Sequence, residues 1–434
     1  MPRHHSPRAR GKIRSRVHAP GGGAAFAWLP RCGSALLLCV LAGSPAAADW
    51  QTERWRVADF TGALGGGPEG GPVAQAGGIP YALCGDASGN LFLADGQFID
   101  IVTPDGMRSR LAGTGEAGYR DGVAHEAEFR LGVGAYYGAR NLACGADGSV
   151  YVSDSGNRRI RRTHRVNGQW RVESRAGGGS RRLAPGEVAA PDKVAFSGTL
   201  AVAATPGGEL VVADNHGAYR VTADGRSIRY LGRWPESAFH AGDKSRNLHV
   251  MMGDADRSGN AYFVSRTPDA VLRVTPAGVV EHLAGRVTRD RATLLMGDGA
   301  PRDAYFNTPT SIAAQPDGSA VYVCGGDEYD IRRVPADGGG STATLMQNGR
   351  WYRASVHPNQ SRGPAVFKPA ANGRLKPDGA LTILMVSHLL GRDAHGTLYG
   401  SLNHWSGMSQ FVEGEGLLGT RVFRIERSAQ GAKP

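Results

Sequence analysis

Short apolar runs bounded by glycine-containing turns recur along the chain, and this pattern predicts many short β-strands. Six segments share one order, in which a glycine opens a turn and an apolar strand then leads into a polar turn. Successive anchor glycines are 59, 60, 51, 59 and 78 residues apart, so the segments mark one repeated unit with loops of variable length. The anchors are Gly89, Gly148, Gly208, Gly259, Gly318 and Gly396.

Each repeated unit is predicted to contain four strands, the second of which follows the anchor glycine. The first strands are predicted at 81–84, 142–144, 200–203, 249–252, 311–314 and 383–386. The third strands are predicted at 98–102, 159–162, 218–221, 270–274, 330–334 and 421–425, and the fourth, in five units, at 109–112, 172–175, 228–231, 280–284 and 343–346. Six units of four strands predict an all-β, six-bladed β-propeller.

The last unit lacks a fourth strand, because the chain ends soon after Ile425. A strand pattern at 55–60 stands alone near the beginning of the sequence. We therefore predict that this N-terminal strand completes the last blade and closes the ring, which would remove an exposed sheet edge.

Units two and five carry a fuller motif than the others. In unit two the motif comprises 111–122, 127–129 and 157–162, and in unit five it comprises 283–285, 297–299, 304–309 and 311–312. This motif resembles the NHL repeat. The resemblance covers about residues 50–427 and implies a six-bladed propeller. Proteins with such repeats range, as the resemblance implies, from protein- or RNA-binding modules to lyases and lactonase-like hydrolases, so this fold alone does not decide function.

Composition agrees with a strand-rich fold, because 64 glycines and 24 prolines disfavour long helices. The net charge of +11 is concentrated at the N-terminus, where residues 1–48 hold seven basic residues and no acidic ones. An apolar segment at 34–43 and Ala-Ala-Ala at 46–48 follow this basic stretch, as in a secretory signal peptide. The apolar core is too short to span a membrane, which takes about 20 residues.

We predict a signal peptide at 1–48, with an n-region at 1–31 and an h-region at 34–43. The propeller is predicted at 49–427, with an insertion at 347–382 before the last blade, and a C-terminal tail at 428–434. The protein is expected to be exported, periplasmic or extracellular, without a transmembrane segment after cleavage. The sequence leaves open whether the leader is cleaved or the true start lies downstream. Residues 49–434 hold 43 basic and 39 acidic residues, and this small excess together with export disfavours nucleic acid as a partner.

Polar residues that enter the first strand or leave the second are expected on one face, around the central channel. The arginines among them could clamp a carboxylate or pair with nearby aspartates. By contrast, Asp95, Asp154 and Asp214 recur at one repeat position and are expected to cap their own turns. The candidate ligand-binding residues are Tyr81, Arg140, Asn141, His216, Asn247, His249, Arg266, Asp327, His388 and His404.

Two functions fit this pattern. The first is a monomeric binding scaffold that requires no cofactor and holds a protein, peptide or glycan on the channel face. The alternative is a metal-dependent lactonase-like hydrolase or lyase, with Ca²⁺ or Zn²⁺ held in the channel by His216, His404 and Asp327. Whether the protein is an enzyme is left open.

Three cysteines follow the leader. Cys84 and Cys144 fall on the first strands of neighbouring units, and Cys324 falls on a second strand. A Cys84–Cys144 disulfide requires the two α-carbons to lie within about 7 Å, which the sequence does not decide. Small buried thiols are the expected state.

Overall fold

The computed structural model describes residues 55–59, 80–105, 107–131, 141–287, 299–306, 308–325, 331–346, 388–402 and 421–427. The predicted leader, insertion and C-terminal tail lie outside these residues. Within them the chain is an all-β propeller, and its helices are short 3-10 turns at Ala124–Glu126, Ser155–Asn157, Pro191–Lys193 and Glu236–Ala238. No helix in this part of the chain is long and apolar enough to cross a membrane.

The described strands follow the predicted order. Before and within unit one they are β1 Trp55–Asp59, β2 Pro80–Gly85, β3 Leu91–Asp95, β4 Phe98–Val102 and β5 Arg108–Ala112. Those of units two and three are β6 Gly122–Val123, β7 Leu142–Cys144, β8 Val150–Asp154, β9 Arg159–Val166, β10 Gln169–Gly177, β11 Val188–Ala189, β12 Ala201–Ala204, β13 Leu210–Ala213, β14 Gly217–Val221 and β15 Ile228–Arg233. Those of units four to six are β16 Val250–Ala255, β17 Ala261–Arg266, β18 Asp269–Val274, β19 Val280–Ala284, β20 Pro309–Ala314, β21 Ala320–Gly325, β22 Ile331–Pro335, β23 Ala343–Met346, β24 His388–Arg392, β25 Leu398–Leu402 and β26 Arg421–Arg427.

The described strands form five sheets, so the prediction of six separate blades is wrong for them. The difference arises because the strands of units six and one join into one eight-stranded sheet, in the order β1-β26-β25-β24-β2-β3-β4-β5. The joint is a parallel pairing of β2 with β24, at Leu83 with Gly391 and Cys84 with Arg392. Gly391 lies so close to β2 that a β-carbon on it would sit 2.0 Å from the Leu83 carbonyl oxygen, which explains why glycine is needed there.

Strand β1 pairs antiparallel with β26 over five residue pairs, from Trp55–Arg427 to Asp59–Phe423. The N-terminal strand thus lies at the edge of the sheet that contains the last unit, the place expected from the sequence. The first strands of successive units contact one another in the order β2, β7, β12, β16, β20 and β24, and β24 contacts β2.

All six anchor glycines have positive φ angles, between 73° and 89°. Residues with a β-carbon rarely adopt this conformation, so the turn between the first and second strands selects glycine. In several units the turn also begins with an aspartate that accepts backbone N–H groups across it, as Asp86 does from Ser88 and Asn90, both at 2.9 Å. The repeat detected in the sequence is therefore a repeat of turn geometry.

The first strand of unit six was predicted at 383–386, which lies outside the described residues, and the structure has this strand at His388–Arg392. The prediction followed the most apolar run before the anchor glycine. The distance from the end of a first strand to its anchor would have located the strand, because β2 ends at Gly85, four residues before Gly89, and β24 ends at Arg392, four residues before Gly396.

The core of the described residues consists of apolar clusters between neighbouring units. One cluster joins units one and two and contains Phe92 and Phe129, and another joins units four and five and contains Tyr262 and Ile312. A smaller cluster brings Tyr399 of unit six against Leu83 and its neighbours in unit one. Neighbouring units therefore pack face to face through apolar side chains.

Units two and five each bury an arginine against a phenylalanine. Arg161 is fully buried, 5.1 Å from the Phe129 ring centroid, and bonds Asp154 at 2.8 Å. Arg332 of unit five lies 5.0 Å from the Phe306 ring centroid and donates to the Tyr305 carbonyl. The fuller sequence motif of these two units thus corresponds to a shared internal arrangement.

Candidate functional site

Four of the predicted site residues are brought together at the end of the first strands where the chain enters them. They are His216, Asn247, His249 and Arg266, which we call the rim patch. Leu248 N donates to Asn215 O at 2.9 Å, which places the segment before β16 beside the turn that contains His216. Arg266 N donates to His249 O at 3.0 Å, so the end of β17 lies beside the same segment.

The side chains of the rim patch differ in exposure. Asn247 is exposed, whereas His216, His249 and Arg266 are partly buried. Burial lowers the pKa of His249, and the nearby positive charge of Arg266 lowers it further. The His249 imidazole is therefore neutral near pH 7, and a neutral imidazole offers one donor and one acceptor nitrogen. A cation, a neutral imidazole and an exposed amide suit a polar ligand.

The other predicted residues are not part of this patch. Arg140, Asp327 and His404 lie outside the described residues. Tyr81 lies in β2 and His388 begins β24, so both belong to first strands. Their predicted roles remain predictions.

Asn141 is fully buried, and its amide is engaged in bonds between strands. Its Nδ2 donates to Leu142 O and to Gly253 O, both at 3.0 Å, and its Oδ1 accepts from Val202 N at 2.5 Å. These bonds join units two, three and four at the channel. The geometry therefore gives Asn141 a structural role in this state of the protein.

Asp214 behaves as the sequence predicted for a turn cap. Its Oδ1 accepts from His216 N at 2.9 Å and from Gly217 N at 3.1 Å, and burial raises the pKa of this carboxyl group. Asp154 accepts from the side chain of Asn157 at 2.8 Å but also bonds Arg161, so it does more than cap its own turn. Asp214 holds the backbone beneath His216 in place.

The opposite end of the first strands encloses a cavity of about 50 Å³. This volume is far below the roughly 300 Å³ of a typical small-molecule pocket and suits a few water molecules. The lining residues are Leu83, Cys84, Gly85, Leu142, Ala143, Cys144, Ala204, Met252, Gly253, Asp254, Gly391 and Arg392.

Cys84 and Cys144 form a disulfide beside this cavity, with their α-carbons 5.6 Å apart. The expectation of two buried thiols is therefore wrong. The sequence signal was the position of both cysteines just before an anchor glycine of neighbouring units, since first strands of neighbouring units contact each other. Cys324 lies buried on β21, as predicted for a second strand.

An ion pair crosses the same end of the channel from unit four to unit six. Arg392 Nε donates to Asp254 Oδ2 at 2.7 Å, and its Nη2 reaches Asp254 Oδ1 at 3.1 Å. Asp254 Oδ2 also accepts from Ala314 N of unit five at 2.8 Å. Sequence reasoning missed this pair because its partners are separated by 138 residues.

The predicted metal site is tested only in part. Among the described residues no three His, Cys, Asp or Glu side chains are grouped as metal ligands. Two of the three residues predicted to hold a metal lie outside this set, so the metal remains a prediction.

No protein-family model and no curated protein matches the sequence significantly. The NHL assignment is therefore not confirmed.

Among solved structures, a protein of unknown function from Bacteroides thetaiotaomicron is similar, with a TM-score of 0.52 and 14% identity over 86% of this chain and 76% of that one. Two auxiliary nutrient binding proteins are also similar. The one from Bacteroides thetaiotaomicron has a TM-score of 0.51 at 14% identity, covering 86% of this chain and 76% of its own. The one from Bacteroides ovatus has 0.50 at 12%, covering 87% and 78%. At such identities the likeness concerns the fold alone.

Proposed function

We propose that this chain is an exported binding propeller that holds a protein, peptide or glycan ligand on the channel face, at the rim patch. The observation that carries the proposal is that residues from two units, predicted separately from the sequence, gather at one end of the first strands. The other end is occupied by bonds between units, so it offers little room for a ligand. Two of the proteins with a similar fold are auxiliary nutrient binding proteins, which accords with a binding role.

The proposal includes an architecture of six NHL-like units closed by the N-terminal strand. The pairing of β1 with β26 and the parallel joint of β2 with β24 support it, since together they leave unit six bonded on both sides. The eight-stranded sheet then contains two blades of one ring.

A glycan and peptide array tests the binding role. Residues 49–434 are applied beside a rim variant, His249→Ala with Arg266→Ala, and a matched control, His395→Ala with Arg226→Ala, whose histidine and arginine are exposed elsewhere. We expect one ligand class to be retained by the wild type and the control and to be lost by the rim variant. Equal retention by all three proteins, or by none, would contradict the rim patch as the binding site.

The metal-dependent alternative has a separate test. Elemental analysis of the purified chain would favour a lactonase-like hydrolase or lyase if it finds stoichiometric Ca²⁺ or Zn²⁺ that His216→Ala removes. The binding proposal expects the same metal content, at background, for the wild type and this variant.

A further inference from the structure

Unit two carries most of the basic excess that remains after the leader. Residues 141–182 hold nine arginines against three acidic residues, a net charge of +6, whereas residues 49–434 together have a net charge of +4. The rest of the propeller is therefore slightly acidic. A local excess of this kind attracts anionic partners to one sector of the molecule.

Two of these arginines, Arg158 and Arg159, come together with Arg130 of the preceding loop around one exposed tyrosine. We call the group formed by Tyr119, Arg130, Arg158 and Arg159 the arginine cluster. The contacts that join its loops are Asn157 Nδ2 to Gly118 O (2.7 Å), Gly156 N to Arg130 O (3.0 Å) and Gly178 N to Arg158 O (3.1 Å). The cluster belongs to units one and two, and the rim patch belongs to units three and four.

Tyr119 is exposed yet held in place. Its side chain is 47% exposed, and the Arg159 guanidinium carbon lies 4.1 Å from its ring centroid. Its hydroxyl lies 3.1 Å from Ser174 Oγ and 3.3 Å from Asp121 Oδ2. The Arg161 guanidinium carbon also lies 5.0 Å from this centroid. A ring held by two guanidinium groups and at its hydroxyl offers its exposed part to a ligand at little cost in conformational entropy.

The carboxylates near the cluster are engaged by other cations. Glu128 pairs with Arg120 at 2.6 Å, Asp192 with Lys193 at 2.7 Å, and Glu187 with Arg181. Asp121 pairs with the buried Arg161 at 2.6 Å. In the described part of the chain no carboxylate lies within ion-pair distance of the three cluster arginines. Arg159 donates to the Asn157 carbonyl at 3.0 Å and stacks on Tyr119, so Arg130 and Arg158 are the two whose guanidinium groups are available to an anion.

We propose that the arginine cluster is a second binding site, specific for carboxylate-bearing oligosaccharides. A sugar ring would lie on the exposed surface of Tyr119, and carboxylates would bond the guanidinium groups of Arg130 and Arg158. The planar guanidinium matches a carboxylate in bidentate geometry. The predicted export favours an acidic glycan over a nucleic acid as the occupant.

Binding of oligogalacturonides of three to six residues to residues 49–434, measured by calorimetry, tests the site. The fully methyl-esterified oligomers keep the sugar rings without the charge and serve as the matched ligand. We expect the acid form to bind and the ester at least tenfold more weakly. Arg158→Ala and Tyr119→Ala should each lower affinity about tenfold, the effect of about 1.4 kcal/mol. Arg226→Ala, an exposed arginine of unit three, should leave affinity unchanged.

Four outcomes would overturn the inference: no binding of the acid form, equal binding of the ester, tighter binding of oligo-glutamate or single-stranded DNA, or unchanged affinity in both cluster variants. Melting temperatures equal to the wild type show that a loss of affinity is not a loss of fold. The rim variant His249→Ala with Arg266→Ala separates the two sites. If it alone abolishes binding, the rim patch is the site and the arginine cluster is not.

Discussion

The two ends of the first strands are built for different tasks. At the cavity end, a disulfide, an ion pair and a parallel strand pairing tie units one, two, four and six together. At the other end, His216, Asn247, His249 and Arg266 lie at the rim of units three and four, where backbone hydrogen bonds such as Leu248 N to Asn215 O join the two units. The channel is thus cross-linked between distant units at the cavity end, whereas the rim patch lies where the neighbouring units three and four meet.

The largest effect is expected from removing the N-terminal strand. Deletion of residues 49–62 removes β1, exposes the edge of β26 and opens the proposed ring, so we expect loss of the cooperative fold. Circular dichroism and thermal melting measure it. Val57→Pro is a milder variant, because proline lacks a backbone donor and is disfavoured inside a strand. Deletion of 428–434 is the control, and a truncated protein that melts at the wild-type temperature would show that ring closure is wrong.

Removing the disulfide should have the next largest effect. Its cysteines are 60 residues apart, and closing a loop of that length stabilises a fold by up to about 4 kcal/mol. We expect Cys84→Ala with Cys144→Ala to lower the free energy of unfolding by about 2–4 kcal/mol in chemical denaturation. Reduction of the wild type should reproduce the loss, and reduction of the variant should change nothing. A variant as stable as the oxidised wild type contradicts a structural role for the bond.

Neutralising the ion pair across the cavity should lower the free energy of unfolding by less than removing the disulfide does, because the side chains of Arg392 and Asp254 remain 16% and 23% exposed. Asp254→Asn keeps an acceptor for Ala314 N but leaves the Arg392 charge without its partner. We expect a loss of about 2 kcal/mol, below the cost of breaking a fully buried pair. Asp224→Asn breaks the exposed pair with Arg226 and should cost at most about 0.5 kcal/mol. Equal losses in the two variants would show that the ion pair across the cavity stabilises the fold no more than an exposed pair does.

The repeat and most strands could be predicted because local geometry determines them. A turn that requires positive φ selects glycine, and the six anchors thereby located the first and second strands of nearly every unit. The apolar run at 383–386 was the exception, where hydrophobicity outweighed the constant spacing to Gly396. The rim patch was also predictable in part, since loops at matching repeat positions emerge on one face.

Contacts between units were not predictable in the same way. The disulfide, the pairing of Asp254 with Arg392 and the parallel joint of β2 with β24 depend on how closely the first strands approach one another. Asn141 shows the same limit, because its repeat position suggested a ligand residue while the narrow channel engages its amide. A single sequence records which residues enter the channel but not the distance across it.

The smallest effect on stability is expected at the rim, where it should depend on pH. His249→Gln should change the free energy of unfolding by at most about 0.5 kcal/mol at pH 7, because the folded protein holds a neutral, partly buried imidazole there. The pKa of His249 in the folded protein is lower than its ordinary value of 6.5. As pH falls through 6.5 the unfolded chain therefore takes up the proton first, and the wild type loses stability until the pH passes below the folded pKa. Urea denaturation from pH 7 to pH 4 should show that the free energy of unfolding of the wild type falls relative to that of the variant, which lacks this loss. Parallel profiles at all pH values would mean that His249 is as solvated in the folded protein as in the unfolded chain, and the contrast between the two ends would then lose its electrostatic basis.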